Sequence, residues 1–432
     1  MTNVAKLFWS ARTRYGLAAL LALGLLALAA ACGGEEEGPA PAGTPSPQAR
    51  QLKTDVGVTD TEIRIGHTGV FSGPYAVLRP YSDGLKAYVD YVNRERGGVC
   101  NRTIRLITED SQYSTTVARQ AAVKLVEQDR VLALVGDIGT EAVLGEAPYA
   151  AENKVPHLFV GTGAAELADG AKYPWTILGG PDWVAEGQLL GEYANERFPN
   201  ARVGILYQND VLGQSFVDGF RRTFRGSIVA MQPHEPTATD ITSQMANLRA
   251  ANIDLLFLAT AAAFSPRAFA YMGSVGWRPQ VMMPTPNYPV IIANIIGGGD
   301  PARGLQVVRG TIQTQYFKDV FSGANDPAVQ EHARIMRTYA NADPNPLTLQ
   351  GQIAGELMVE TLKRACDAGD LTRQGVMNMA LSLRGFQPTV WVPGITTNFS
   401  PQFRMATRCL LIVEIQADGS PRPLINQPRC AS

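Results

Sequence analysis

The chain has 432 residues, 38 basic and 39 acidic side chains, and a formal net charge of −1. Such a balance leaves no basic field to hold a nucleic acid, and the length is enough for two or three domains.

The first thirty-one residues carry Lys6, Arg12 and Arg14 and no acid, and an uncharged Leu/Ala-rich stretch over 16–31 ends at Ala29-Ala30-Ala31-Cys32. A basic start, an apolar run and small residues before a cut describe a secretory signal. The run is shorter than the roughly twenty apolar residues that cross a bilayer. Cys32 after small residues resembles the bacterial lipobox, where lipid is attached to the thiol before the signal is cut. The favoured leucine is one place early, at Leu28; the other reading is ordinary cleavage beside an incidental cysteine. Residues 33–54 are Gly, Pro, Glu and Ser with almost no large apolar side chains, the composition of a tether that does not fold. Without the leader, 35 basic and 39 acidic side chains remain, a net charge near −4.

From Glu62 onward strands and helices alternate. A strand over 63–70 ends in Phe71-Ser72-Gly73-Pro74, and Leu85, Tyr88, Val89 and Val92 then recur at helical spacing up to Gly97-Gly98. A strand over 103–108 follows, then a helix face of Ala118, Ala121, Ala122, Leu125 and Val126. The runs 131–135 and 155–160 are almost wholly apolar, as in strands covered on both faces. A second series has helices over 184–198 and 213–224, a strand over 202–207, a helix marked by Ile241, Met245 and Leu248, and a strand over 253–258. Two such series predict an α/β protein of two parallel-sheet lobes. Helices over 328–339, 350–368 and 372–382 and strands over 409–415 and 422–425 close the chain.

Besides Cys32 there are Cys100, Cys366, Cys409 and Cys430. Cys409 and Cys430 lie nearly symmetrically about the turn Asp418-Gly419-Ser420, a spacing that lets them meet across two strands. Cys100 and Cys366 would then pair or stay free. Three connectivities remain open.

The local motifs, in their order, resemble the leucine/isoleucine/valine-binding family of type I periplasmic binding proteins from about Glu62 to the C-terminus. They include Ser72-Gly73-Pro74, Gly97-Gly98-Val99, Val135-Gly136-Asp137 and the run Val155-Pro156 through Gly163-Ala164. Leu206-Tyr207-Gln208-Asn209-Asp210 with Gly213, Val275-Gly276-Trp277, Asp370-Leu371-Thr372-Arg373 and Val392-Pro393-Gly394-Ile395 continue the series. The resemblance implies two Rossmann-like lobes joined by a three-strand hinge, with crossings near Gly179–Pro181, Val308–Thr311 and Gly394–Thr396. Lobe one is then 55–180 plus 311–394, and lobe two 181–310 plus 395–432.

Ligands of open α/β sheets collect beyond the C-terminal strand ends. The loops there carry Tyr75, Gly139, Thr140, Thr162 and Gly163 in lobe one and Asp210, Thr260, Asn287 and Tyr288 in lobe two. Glycines and hydroxyls at helix starts attract anions, and the resemblance implies a carboxylate cradle at Thr140 and Thr162; the plain alternative is that they only turn the chain and cap helices. Amino-acid binders of the family pair the ligand's ammonium with a lobe-two acid, yet Pro284 to Tyr288 has none. An α-amino acid is therefore disfavoured, since a buried ammonium without a partner is costly. Leu212 replaces a family aromatic, and Leu78 with Arg79 replaces another; Arg79 either meets a ligand carboxylate or is a solvated loop charge. Tyr75, Tyr288 and Tyr316 are candidates for an apolar pocket, while Trp175, Trp183 and Trp277 read as packing residues. Asp110, Asp182 and Asp254 sit where carboxylates cap exposed N–H groups.

His67, His157, His234 and His332 show no metal-ligand spacing, and His157 reads as a core residue. There is no Cys-x-x-Cys, nucleophile elbow or P-loop. No catalytic residue, metal or cofactor is expected. The resemblance implies a binding protein that takes a small molecule (an amino acid or other carboxylate, aromatic ones included) and hands it to an ABC transporter permease while a lipid anchor holds it to the membrane. A sensor for a membrane signalling protein, or an exported enzyme, are the other readings. If Cys32 carries the anchor, Cys32→Ser moves the protein from the membrane to the soluble fraction on cell fractionation; unchanged retention contradicts it.

Overall fold

A computed structural model describes residues 52–432 except 262, 286, 322 and 324. The expected signal, Cys32 and most of the tether lie outside the described residues. Among those residues no helix is long and apolar enough to cross a membrane.

Two sheets organise the body. In the first, five parallel strands lie in the order Thr103–Asp110, Glu62–Gly69, Ala133–Val135, His157–Val160, Thr176–Leu178. In the second, Ser227–His234, Arg202–Gln208, Leu255–Ala259, Gln280–Met283 and Ile312–Gln315 run parallel. Cys409–Ile415 then adds antiparallel to Ile312–Gln315, and Pro421–Pro423 antiparallel to it. The central strands are short and apolar because helices cover both faces; all five residues of Leu255–Ala259 are buried. Apolar packing is continuous between the lobes: one cluster runs from Val143 and Val160 through Trp183 to Phe216 and Phe257.

The chain passes between sheets at Gly179–Pro181, directly after the Thr176–Leu178 strand. The other two crossings fall later than expected. Val308–Thr311 is instead a turn inside the second lobe, closed by the Thr311 hydroxyl on the Val308 carbonyl at 2.6 Å, with Gly310 at φ +79°. Ile312–Gln315 therefore belongs to the second sheet, and the chain leaves it at Tyr316–Phe317, where Val392 N–H donates to the Tyr316 carbonyl. Gly394–Thr396 is likewise a turn on the first-lobe side, and the last crossing comes where Met405 bridges to Leu178 before Cys409 enters the second sheet. Both misplacements took a glycine turn for a hinge. At the front, Lys53–Thr54 pairs in parallel with Asp370–Leu371, so the tether ends earlier than residue 54.

Cys409 and Cys430 face each other in register and are bonded, and Cys100 is bonded to Cys366. The second bond ties the loop after helix Arg79–Glu95 to helix Pro346–Asp367. These two helices touch backbone to backbone. A methyl group at Gly84 would fall 2.0 Å from the Thr348 carbonyl oxygen, and one at Gly351 1.9 Å from that of Tyr81. Only hydrogen fits, and the close approach carries the first turns of Pro346–Asp367 over the C-terminal end of the first sheet. Gly351→Ala should destabilise the protein by roughly 1–3 kcal/mol through overpacking. Gly273→Ala, in helix Ser265–Ser274 with nothing within 4 Å, should stabilise it by up to about 1 kcal/mol. Urea unfolding of both variants checks the contrast.

Candidate functional site

Between the C-terminal ends of the two sheets lies a cleft of about 1010 Å³, its open mouth included. Among the described residues six helices begin at it: Arg79–Glu95, Thr140–Glu152, Trp183–Arg197, Val211–Thr223, Pro289–Ile296 and Pro346–Asp367. Each start leaves backbone N–H groups without an intrahelical acceptor and a partial positive charge. Three starts are closed by their own side chains. Asp182 accepts from Ala185 N–H at 2.8 Å, Asp210 from Gly213 N–H at 3.2 Å, and Asn345 from Leu347 and Thr348 N–H. The Thr140 helix has no such cap, because Gly139 precedes it at φ +104°. A Cβ there would also come 2.8 Å from the Tyr113 ring, so the position is confined to glycine. The Thr140 and Thr162 hydroxyls stand 3.1 Å apart beside this open start.

The walls are mainly aromatic and aliphatic. Tyr75 and Tyr113 stack with ring centroids 4.0 Å apart, and Tyr81, Trp183, Tyr288 and Tyr316 complete the aromatic lining with Leu78, Leu347 and Ile353. Burial raises the phenols of Tyr81, Tyr288 and Tyr316, so they meet a ligand as hydroxyls. Among the described residues the lining holds no Arg, Lys or His, and one acid, Glu186. Burial, the largest influence, pushes the Glu186 carboxyl up to about 7 against hydrogen bonds from Thr314 and Thr285. Two bonds span the cleft: the Tyr75 hydroxyl donates to the Pro236 carbonyl at 3.2 Å, and Gln350 Nε2 donates to the Tyr288 hydroxyl at 2.6 Å.

Of the residues singled out from sequence, Tyr75, Gly139, Thr140, Thr162, Gly163 and Tyr288 line the cleft. Arg79 does not. Its side chain is 61% exposed, 4.0 Å from Asp83 and stacked over Phe71, so it is the solvated charge of the two readings. Asp210 is used up as a helix cap and by Gln208 Nε2. Thr260 and Asn287 are fully buried beneath the floor: Thr260 Oγ1 meets His234 Nε2 at 2.7 Å, and Asn287 holds the Thr260 carbonyl and the Ser265 hydroxyl. Trp183, read as packing, packs on Phe216 and also faces the cleft. Sequence reasoning missed Tyr113, Tyr81, Gln350 and above all Glu186, an acid from a helix rather than from the 284–288 loop. Asp110, Asp182 and Asp254 do cap backbone N–H groups, of Phe71, Ala185 and Arg202.

The profile of the periplasmic binding protein family matches residues 62–420. The chain belongs to that family. No curated relative matches it in sequence. Among solved structures, a fatty acid ABC transporter substrate-binding protein from Thermomonospora curvata is similar, with 21% identity, 88% of this chain and 95% of that one covered, and a TM-score of 0.73. A branched-chain amino acid ABC transporter protein from Thermus thermophilus with bound valine has 18% identity, 87% and 98% coverage and a TM-score of 0.76. A solute binding protein from Rhodopseudomonas palustris BisB5 in complex with 3,4-dihydroxybenzoic acid has 16% identity, 86% and 98% coverage and a TM-score of 0.70. The fold is that of a type I periplasmic binding protein.

Directly behind Thr140 and Thr162 of this periplasmic binding protein lies a charge cluster with no spacing signal in the sequence. His157 Nε2 is 3.1 Å from Asp137 Oδ2 and 3.3 Å from Glu146 Oε2, all three side chains fully buried. Thr68 holds the opposite oxygens, its N–H on Asp137 and its hydroxyl on Glu146. These atoms are close enough together to ligate a cation. Burial would lower His157, yet Asp137 and Glu146 outweigh it and hold the imidazolium to about 9. Burial and then the Asp137 charge push Glu146 up to about 8.

Each proton is held more tightly in the folded chain than in the unfolded one. His157 thus contributes stability that is complete below its ordinary 6.5 and lost as pH rises through about 9. Glu146 acts with the same sign between its ordinary 4.5 and about 8, since the folded chain alone keeps the proton there. The thermal midpoint of the ligand-free protein should fall as pH rises from about 7 to 9, above the range in which the burial-lowered His67, His234 and His332 act with the opposite sign, and Glu146→Gln should flatten that fall. A midpoint that climbs over this range contradicts the assignment.

Proposed function

We propose that this periplasmic binding protein is the extracytoplasmic receptor of an ABC importer of the branched-chain amino-acid type, closing its two lobes on a small carboxylate-bearing molecule. The observation that carries the reading is the open helix start at Gly139–Thr140. It has no side-chain cap, it lies beside two hydroxyls, and the lining it faces holds no Arg, Lys or His among the described residues. An anion placed there accepts the free N–H groups and the Thr140 and Thr162 hydroxyls, and the helix dipole favours its charge. The aromatic and aliphatic walls suit an apolar body on the same molecule. The solved relatives named above are described with a fatty acid, valine and 3,4-dihydroxybenzoic acid, three molecules that share a carboxylate.

Closure follows from the same parts. Tyr75 and Gln350 on the first lobe bond across to Pro236 and Tyr288 on the second, so a ligand that fills the space between them holds the hinge shut. Cys32 would anchor the protein at the outer face of the bacterial cytoplasmic membrane, where the closed receptor meets its permease. Titration calorimetry of the purified full-length protein with benzoate and hexanoate tests the cradle. A Thr140→Val, Thr162→Val double variant should lose about tenfold in affinity for both acids, the worth of two modest hydrogen bonds. Unchanged affinity in the double variant overturns the cradle.

A further inference from the structure

Glu186 is the one acid on the cleft lining, and its hydrogen bonds are unevenly shared. Thr285 and Thr314 hold it, and the bonds of good geometry among the described residues fall on Oε2, from the Thr285 N–H at 2.8 Å and from the Thr314 hydroxyl. Thr285 and Thr314 are tied to each other through the Thr285 hydroxyl and the Thr314 carbonyl at 3.1 Å, so the carboxyl is fixed in place. Oε1 takes no bond from the described residues and belongs to a side chain on the cleft wall. Asp182, one turn earlier on the same helix, is unavailable, since it caps that helix and pairs with Arg408 at 3.1 Å.

A fixed, buried acceptor in an aromatic pocket must find a donor when the lobes close, or closure strands its lone pairs. We infer that the ligand carries a hydroxyl group besides its carboxylate, and that Glu186 Oε1 accepts the hydrogen bond from that hydroxyl. A hydroxyl brings one donor and matches one free oxygen. An ammonium brings three donors and a full charge, and the described lining offers no second acid to share them. Glu186 is therefore a specificity-determining residue for hydroxylated carboxylic acids. This inference rests on the carboxylate reading above.

The test compares matched acids by titration calorimetry on the full-length protein: benzoate with 4-hydroxybenzoate, hexanoate with 6-hydroxyhexanoate, and 4-methylpentanoate with leucine. In the wild type at least one hydroxylated acid should bind about tenfold more tightly than its parent, and leucine should bind more weakly than that acid. Glu186→Gln keeps the side-chain shape and should shrink the hydroxyl preference about tenfold while moving the parent acid less than threefold. Parent acids that bind as tightly as their hydroxylated partners overturn this inference and leave the carboxylate reading standing. A preference that survives Glu186→Gln, or leucine as the tightest of the six, overturns it as well. If none of the six binds, the carboxylate reading falls and takes this inference with it.

Discussion

Asp137, Glu146 and His157 share a fully buried space with His67, which stands 3.7 Å from Asp137, and charges have to cancel there. His157 comes from a strand, Asp137 from the loop after Ala133–Val135, and Glu146 from the helix that starts at Thr140. Displacing any one of them would leave a buried charge unpaired, at a cost of several kcal/mol. The cluster therefore pins the Thr140 helix to the strand that runs out to Thr162. The two hydroxyls at the cleft are set 3.1 Å apart by groups behind them that never meet a ligand. Two hydroxyls fixed in this way have little ordering left to do on binding.

The second lobe is braced by neutral groups instead. Asn287, Ser265, Thr260 and His234 form a buried chain under the floor, and Gln313 holds the Asn287 carbonyl. Burial lowers His234, so it joins this chain as a neutral ring. Thr260 and Asn287 thus shape the loop that carries Thr285 and Tyr288 without lining the cleft themselves. The division is physical: a ring of amides and hydroxyls tolerates small shifts, whereas the charged cluster of the first lobe does not. The first lobe offers the stiffer half of the site.

Much of this was legible in the sequence where the pattern is local. Alternating apolar strands and helices announced the two parallel sheets, and glycine and threonine at strand ends pointed to the cleft lining at Gly139, Thr140, Thr162 and Gly163. The edge strand Ser227–His234 escaped because Pro233 and a run of half-buried residues give it no clean period. Thr176–Leu178 is too short to carry a period at all. Tyr113, Gln350 and Glu186 come from a loop and two helices with no motif to mark them, and only the folded arrangement shows that they reach the cleft. The Asp137–Glu146–His157 cluster is similar: the three lie at spacings that match no ligand motif, and a strand, a loop and a helix have to close on each other first. Arg79 and Asp210 were misplaced for the opposite reason. Each sits in a suggestive loop, but one side chain turns to solvent and the other satisfies its own helix.

The bond between Cys100 and Cys366 bears on the order in which the chain becomes itself. The first sheet is complete in sequence by Leu178, yet helix Arg79–Glu95 buries Leu85, Val89 and Val92 in a core shared with helix Pro346–Asp367. During threading through an export channel the N-terminal half emerges first and waits, with that apolar face uncovered, for residues more than two hundred positions behind. The five parallel strands of the second sheet all lie between Arg202 and Gln315 and have a shorter wait. Once Pro346–Asp367 docks, the 266-residue span closes covalently, and an oxidising compartment turns a late, slow contact into a permanent one.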